Sequence, residues 1–190
     1  MPARILVARV VSVLGHPVVV IPAAVALLTA HRSTASAALI VSVVCGVGGV
    51  ILAFSVWQVR SGQWRHVDAS APAERRSLNM FLAMVLVVGS AVALYQLNEP
   101  RLALGLFLSG LLILVVMSLS AWGKISLHAA FAAFAALLLW PLGVGYQASA
   151  CVATAAVCWS RVALLRHTVP EVFGGALLGG LFGACFWRLM

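Results

Sequence analysis

The residues best suited to chemistry lie between Ser160 and Glu171, in a short polar interruption of an otherwise apolar chain. Arg161 offers a planar guanidinium whose geometry suits a phosphate or a carboxylate. His167 and Glu171 are four residues apart, so a helix would place them on one face. There the carboxylate could accept the imidazole N–H and support positive charge on the ring during attack on an electrophile.

The same segment also has a structural interpretation. Thr168 and Glu171 form the T-x-x-E pattern of a capping box, and Pro170 would lie in the first turn of the helix that follows. In that case Glu171 satisfies backbone N–H groups, and Arg166 is an interfacial anchor. The two roles of Glu171 are compatible.

A second polar cluster runs from Lys124 to His128. His128 could donate a proton to a leaving oxygen, and Ser126 lies two residues before it. The alternative is a histidine at the membrane boundary that bonds to a neighbouring helix.

A third cluster covers residues 68–76 and combines turn-forming residues with the adjacent cations Arg75 and Arg76. It could bind a phosphorylated headgroup, or it could be an ordinary solvated loop.

The rest of the chain must position these clusters, and it is apolar. Hydrophobic residues make up 64% of the 190 residues and charged residues only 8%, against about 25% in soluble domains. Despite a formal charge of +8, this excludes a disordered chain, a coiled coil and a nucleic-acid-binding basic domain. Because a membrane span needs about 20 apolar residues, we predict an all-α, multi-pass transmembrane helical bundle of six or seven spans, forming one integral-membrane domain over residues 1–190. The apolar runs are 5–28, 37–59, 78–97, 102–122, 125–140, 144–159 and 172–187.

Several small features have structural interpretations. Gly175, Gly179 and Gly183 are four residues apart and predict close packing against a neighbouring helix. The four cysteines lie in apolar runs without a zinc or CxxC spacing, so no metal site is predicted. The histidines raise the alternative of a haem-binding membrane protein. This alternative is disfavoured, because His16, inside the first run, has no obvious partner and His31 falls on the opposite side of the membrane from His128 and His167. The long first run, with its two prolines, is unlike a cleavable signal peptide.

With seven spans, all three polar clusters fall on one side of the membrane. That side holds nine Lys and Arg residues and the other holds three. This excess predicts that the clusters lie on the cytoplasmic side of a bacterial-type cytoplasmic membrane. The nine are Arg4, Arg9, Arg60, Arg65, Arg75, Arg76, Lys124, Arg161 and Arg166, and the three are Arg32, Arg101 and Arg188.

The three clusters together resemble the type 2 phosphatidic acid phosphatase superfamily of membrane lipid phosphatases. Members carry K-x6-R-P, then P-S-G-H, then S-R-x5-H-x3-D. The third motif is matched at Ser160, Arg161 and His167, with Glu171 where the family has Asp.

The other two motifs are matched in part. Ser126 and His128 match the second, while Ile125 and Leu127 replace its Pro and Gly. Only Arg75 matches the first. The resemblance places a phosphatase-like core at about residues 60–188.

The resemblance implies metal-independent phosphoryl transfer without a cofactor. His167 would be the nucleophile that forms a phosphohistidine, Glu171 would orient it, and His128 would protonate the leaving group and then activate water. Lys124 is hypothesised to replace the lysine missing from the first motif. The phosphate-binding residues would be Arg161, Arg75, Ser126, Lys124 and Ser160.

The expected substrate is a lipid phosphate or a polyprenyl phosphate or diphosphate, presented by the bilayer. The alternative is a non-catalytic lipid-binding protein or a transporter of an anionic substrate, in which the same cations would pair with cargo. Nucleic acid is not an expected partner, and the oligomeric state is left open.

Overall fold

Most residues that the computed structural model describes are helical, and the described residues are 3–32, 36–65, 69, 71–120 and 123–190. Asp68, at the start of the third polar cluster, lies outside these residues. The described helices are α1 (Ala3–Leu14), α2 (Pro17–Arg32), α3 (Ala37–Arg60), α4 (Pro72–Tyr95), α5 (Pro100–Leu119), α6 (Leu127–Leu138), α7 (Val144–Ala163) and α8 (Val169–Leu189), with a 3-10 turn at Trp140–Leu142.

Four of the described helices, α3, α4, α5 and α8, are long and apolar enough to cross a membrane. The pair α1 and α2 brings the number to five if it counts as one broken span, with a bend of 57°. These lengths agree with the predicted all-α membrane bundle. They do not confirm six or seven spans, because α6 has only 12 residues, or about 18 Å of helix, and α7 is not among the candidate spans.

The first apolar run is two helices rather than one continuous span. Pro17 is the first residue of α2, and a proline disfavours the helical conformation in the residue before it. The chain therefore turns at Gly15 and His16. Gly15 packs against the side chain of Val157, where a Cβ atom would collide. The other proline, Pro22, stays inside α2.

The described contacts divide the chain into two compact units, residues 1–41 with 119–190 and residues 42–118. In the first unit α6 is buried on almost every side and packs against α2, α7 and α8. The predicted glycine stripe of α8 faces α6. A Cβ atom at Gly175 would meet the Ser126 carbonyl, at Gly179 the Ala130 backbone, and at Gly183 Leu137. This confirms helix packing as the role of the three glycines.

The helices of the first unit run between two polar ends. The order of contacts along α8 makes α6 and α8 parallel, and the cluster of Ala24 with Ala135 and Leu139 places α2 beside α6. One end holds His31, whose Nε2 lies 2.8 Å from the Tyr146 hydroxyl oxygen. There, the Arg32 guanidinium lies 5.1 Å from the centre of the Trp187 ring.

In the second unit, α4 and α5 approach closely at Gly110, where a Cβ atom would lie 3.3 Å from the Leu86 side chain. The Ser90 hydroxyl donates to the Ala103 carbonyl across 2.8 Å. Phe54 of α3 stacks on Phe81 of α4 with ring centres 3.9 Å apart. Aromatic and small-residue contacts thus hold this unit together.

Candidate functional site

A tight turn at the end of α7 places His167 beside Arg161. Leu165 adopts a left-handed conformation with φ 54°, which reverses the chain. The Arg161 carbonyl accepts the backbone N–H groups of both Arg166 and His167, across 3.0 and 3.2 Å. The five-residue spacing between Arg161 and His167 is therefore that of a helix-terminating turn, which satisfies a carbonyl at the end of α7.

His167 and Glu171 meet through their side chains. The Nδ1 atom of His167 lies 2.7 Å from Oε2 of Glu171. The same oxygen accepts the backbone N–H of Thr168 across 3.3 Å. The capping role and the histidine contact of Glu171 thus occur together. With Nδ1 engaged by Glu171, Nε2 is the ring nitrogen that can act as a nucleophile.

The start of α6 is bonded to the start of α8. The Ser126 backbone N–H donates to the Glu171 carbonyl across 3.1 Å, and the buried Ser126 hydroxyl accepts the Ala129 N–H across 3.4 Å as the cap of α6. Lys124 is exposed, and it lies close enough to Glu171 for the two opposite charges to attract each other. The second and third motif segments therefore lie at the same end of the first unit.

His16 also belongs to this end, which corrects the prediction that it lacks a partner. Its ring packs edge-on against the ring of His128, with centres 4.9 Å apart and planes at 88°. The break between α1 and α2 is what brings it there. The Gly15-His16-Pro17 sequence, which interrupts the apolar run, is the signal that could have revealed this position.

Ser12 of α1 is a second residue that the sequence pattern did not indicate. Its hydroxyl accepts a hydrogen bond from the Arg161 guanidinium, with 2.7 Å between Nη1 and Oγ. Arg161 is also close enough to His16 and His128 for its positive charge to interact with both rings. The guanidinium therefore lies near both histidines as well as near α1.

Three helix N-termini converge on this cluster. α2 begins after His16, α6 after Ser126 and α8 after Thr168, and the contacts above join these three starting points. A helix N-terminus carries a partial positive charge and unsatisfied N–H groups. Together with Arg161 and Lys124, they make this end of the unit suited to an anion such as a phosphate.

Two of the predicted phosphate ligands have other surroundings in the structure. Ser160 is fully buried, and its hydroxyl donates to the Val157 carbonyl across 2.7 Å. Arg75 belongs to the second unit, where it is exposed beside the buried Glu74. Phosphate binding by Ser160 and by Arg75 stays a prediction.

Comparison with known proteins gives no match: no protein-family model, no curated protein and no solved structure matches this chain. Within the described ranges, no group of three or more His, Cys, Asp and Glu side chains is placed to hold a metal ion. The resemblance to the lipid phosphatases therefore rests on the motif residues of the sequence alone.

Proposed function

We propose that this protein is an integral-membrane phosphatase that hydrolyses a lipid phosphate, or a polyprenyl phosphate or diphosphate, through a phosphohistidine. The observation that carries the proposal is the 2.7 Å contact between His167 and Glu171 at the end of the unit where Arg161 and the start of α6 also lie. A nucleophile held by a second group is the arrangement that covalent catalysis requires.

Substrate binding would use the positive charge of this end. The Arg161 guanidinium and Lys124 supply full charges, and the N-termini of α2, α6 and α8 supply partial ones. The lipid tail would remain in the bilayer, against the exposed apolar surfaces of the helices. Such a site selects for a phosphate at the membrane face rather than for a soluble metabolite.

In the first chemical step, Nε2 of His167 would attack phosphorus while the bond from phosphorus to the leaving oxygen breaks. A phosphate monoester bound as its monoanion brings the proton that His128 passes to that oxygen. Glu171 would accept a hydrogen bond from Nδ1–H of His167. Its negative charge would stabilise the positive imidazole ring that carries the phosphoryl group. The charge spread over the phosphoryl oxygens would be matched by Arg161.

In the second step, water would attack the phosphorus of the phosphohistidine. His128 would take the proton from that water, and the bond between Nε2 and phosphorus would break. His128 then gives that proton to the departing inorganic phosphate, and both histidines return to their starting forms. The reaction consumes one water molecule and yields one inorganic phosphate, together with an alcohol from a monophosphate substrate or a lipid monophosphate from a diphosphate.

The departure from the family at Glu171 is compatible with this chemistry. The carboxylate reaches Nδ1 of His167 and also the Thr168 N–H. A side chain one methylene longer than Asp therefore still makes the contact that orients the ring.

The membrane arrangement belongs to the same proposal. α7 lies against α6 and α8, and α8 is itself a candidate span, so α7 and the segment formed by α6 and the 3-10 turn would complete six or seven spans. The excess of Lys and Arg on the side of Lys124 and Arg161 supports a site at the cytoplasmic face. The membrane would be a bacterial-type cytoplasmic membrane.

The test is phosphate release from a panel of phosphatidates and polyprenyl phosphates and diphosphates, by the purified protein in detergent with EDTA present. We expect activity in EDTA, loss of activity in His167→Ala, a fall of about 10²-fold or more in His128→Ala, and an acid-labile, alkali-stable phosphoprotein in the wild type. His31→Ala, at the opposite end of α2, is the matched control and should keep wild-type activity. Binding of these lipids without any phosphate release would instead favour a lipid-binding protein or a transporter.

A further inference from the structure

The break between α1 and α2 places the His16 ring against the His128 ring. His16 belongs to none of the three motifs, and the mechanism above gives it no role. The two rings meet edge to face, with centres 4.9 Å apart. His16 is at the same time the cap of α2. Its Nδ1 accepts the Val18 backbone N–H across 3.3 Å, and its carbonyl accepts the N–H groups of Val19 and Val20.

Capping restrains the His16 ring. Because a backbone N–H can only donate, Nδ1 must be the acceptor, so the neutral ring carries its proton on Nε2. Rotation of the side chain would leave the Val18 N–H without this partner at the end of a helix. His16 therefore presents a ring of one tautomer and one orientation to His128.

Proton transfer by His128 depends on the orientation of its own ring. A general acid or base must lie within about 2.6–3.2 Å of the atom with which it exchanges a proton, and small errors of placement lower the rate strongly. His128 is the second residue of α6, and the helix backbone by itself allows its side chain more than one rotamer. The ring contact with His16 restricts that choice.

We propose that His16 is a positioning residue of the phosphatase site, which holds the His128 ring in the orientation from which it passes a proton to the leaving oxygen. This inference rests on the proposed function and adds to it a residue outside the three motifs.

Two substitutions separate the capping role of His16 from its ring contact. His16→Asn keeps a side-chain acceptor for the start of α2, because Asn is a strong capping residue, but it removes the ring. His16→Phe keeps a ring against His128 but removes the acceptor. His31→Asn is the matched control at the other end of α2, where the histidine contacts Tyr146.

The probes are dioleoyl phosphatidate and p-nitrophenyl phosphate in the same detergent micelles. Phosphatidate releases a basic alkoxide that needs a proton, whereas p-nitrophenyl phosphate releases a stable phenolate that does not. We expect His16→Asn to lower kcat/KM on phosphatidate, which reports only the steps up to phosphorylation of His167, by about tenfold or more. The loss of kcat/KM on p-nitrophenyl phosphate should be much smaller. His16→Phe should recover most of the phosphatidate rate, and His31→Asn should match the wild type on both.

A double variant tests whether His16 acts through His128. In the His128→Ala background, His16→Asn should cause no further loss on phosphatidate, because there is no ring left to position. An equal loss of kcat/KM on both substrates, a wild-type kcat/KM in His16→Asn, or a further full loss in the double variant would each overturn the inference. In those cases the proposed function stands as long as His167→Ala is inactive. Hydrolysis that persists in His167→Ala, or no hydrolysis by the wild type, would overturn the proposed function and this inference with it.

Discussion

The backbone N–H of Ser126 donates to the backbone carbonyl of Glu171 across 3.1 Å, and this bond joins the two segments that carry His128 and His167. Because it links main-chain atoms, it holds the starts of α6 and α8 together whatever their side chains do. Below this bond, the glycines of α8 let the two helices stay in close contact along their length. The spacing of the two histidines is therefore set by backbone packing.

Replacing Glu171 by Gln should separate its two roles. The Gln amide oxygen can still accept the Thr168 N–H, but it carries no charge to stabilise a positive His167 ring. We expect kcat on phosphatidate to fall by about 10²-fold to 10⁴-fold, with the melting temperature in detergent close to that of the wild type. Glu171→Ala, which also loses the cap, should cost about 1 kcal/mol of stability in addition. A Gln variant with the wild-type kcat would contradict the orienting role.

Replacing Ser12 by Ala should weaken substrate binding. The Ser12 hydroxyl accepts a charge-assisted hydrogen bond from Arg161, and such bonds contribute about 1.5–3 kcal/mol. We expect KM for phosphatidate to rise by about tenfold or more, with a smaller change in kcat. Ser149→Ala is the control, because its hydroxyl donates to the Gly145 carbonyl near the opposite end of α7. If both variants show the same KM, α1 has no part in holding Arg161 for the substrate.

Adding a methyl group at Gly179 should destabilise the first unit, whereas the same change one residue later should not. A Cβ atom at Gly179 would collide with the backbone of Ala130, but a Cβ atom at Gly180 meets nothing within 4 Å. Overpacking of this kind costs about 1–3 kcal/mol. We therefore expect a lower melting temperature in detergent for Gly179→Ala and an unchanged or slightly higher one for Gly180→Ala. Equal melting temperatures for the two variants would show that α6 and α8 do not pack as described.

Much of the candidate site could be predicted because it is local in sequence. His167 and Glu171 do meet, but not on one face of a helix: His167 precedes the cap residue Thr168, and Glu171 reaches back to it from the first turn of α8. The capping pattern at Thr168 likewise needs only neighbouring residues. Parity of the apolar runs also placed Ser126 and His128 at the same end as His167, and the bond from Ser126 to Glu171 agrees with it.

The residues that were missed lie in α1 and at its end, inside an apolar run. Ser12 and Arg161 are 149 residues apart, and no periodicity connects positions so distant. The run of apolar residues continues on both sides of His16, which predicts a position inside a single span. Only the turn before Pro17 moves its ring to the polar end of the unit.

The sequence by itself determined the helical, membrane-suited character of the chain and the identity of its few polar clusters, because apolar content and local spacing act within single helices. The tertiary structure decided which of those clusters meet. It broke the first run into two helices, aligned α2, α6 and α8 with their N-termini at one end, and brought His16 and Ser12 to Arg161 and His128. Close packing selects these partners, since it depends on the shapes of surfaces that come together only when helices distant in sequence are in contact.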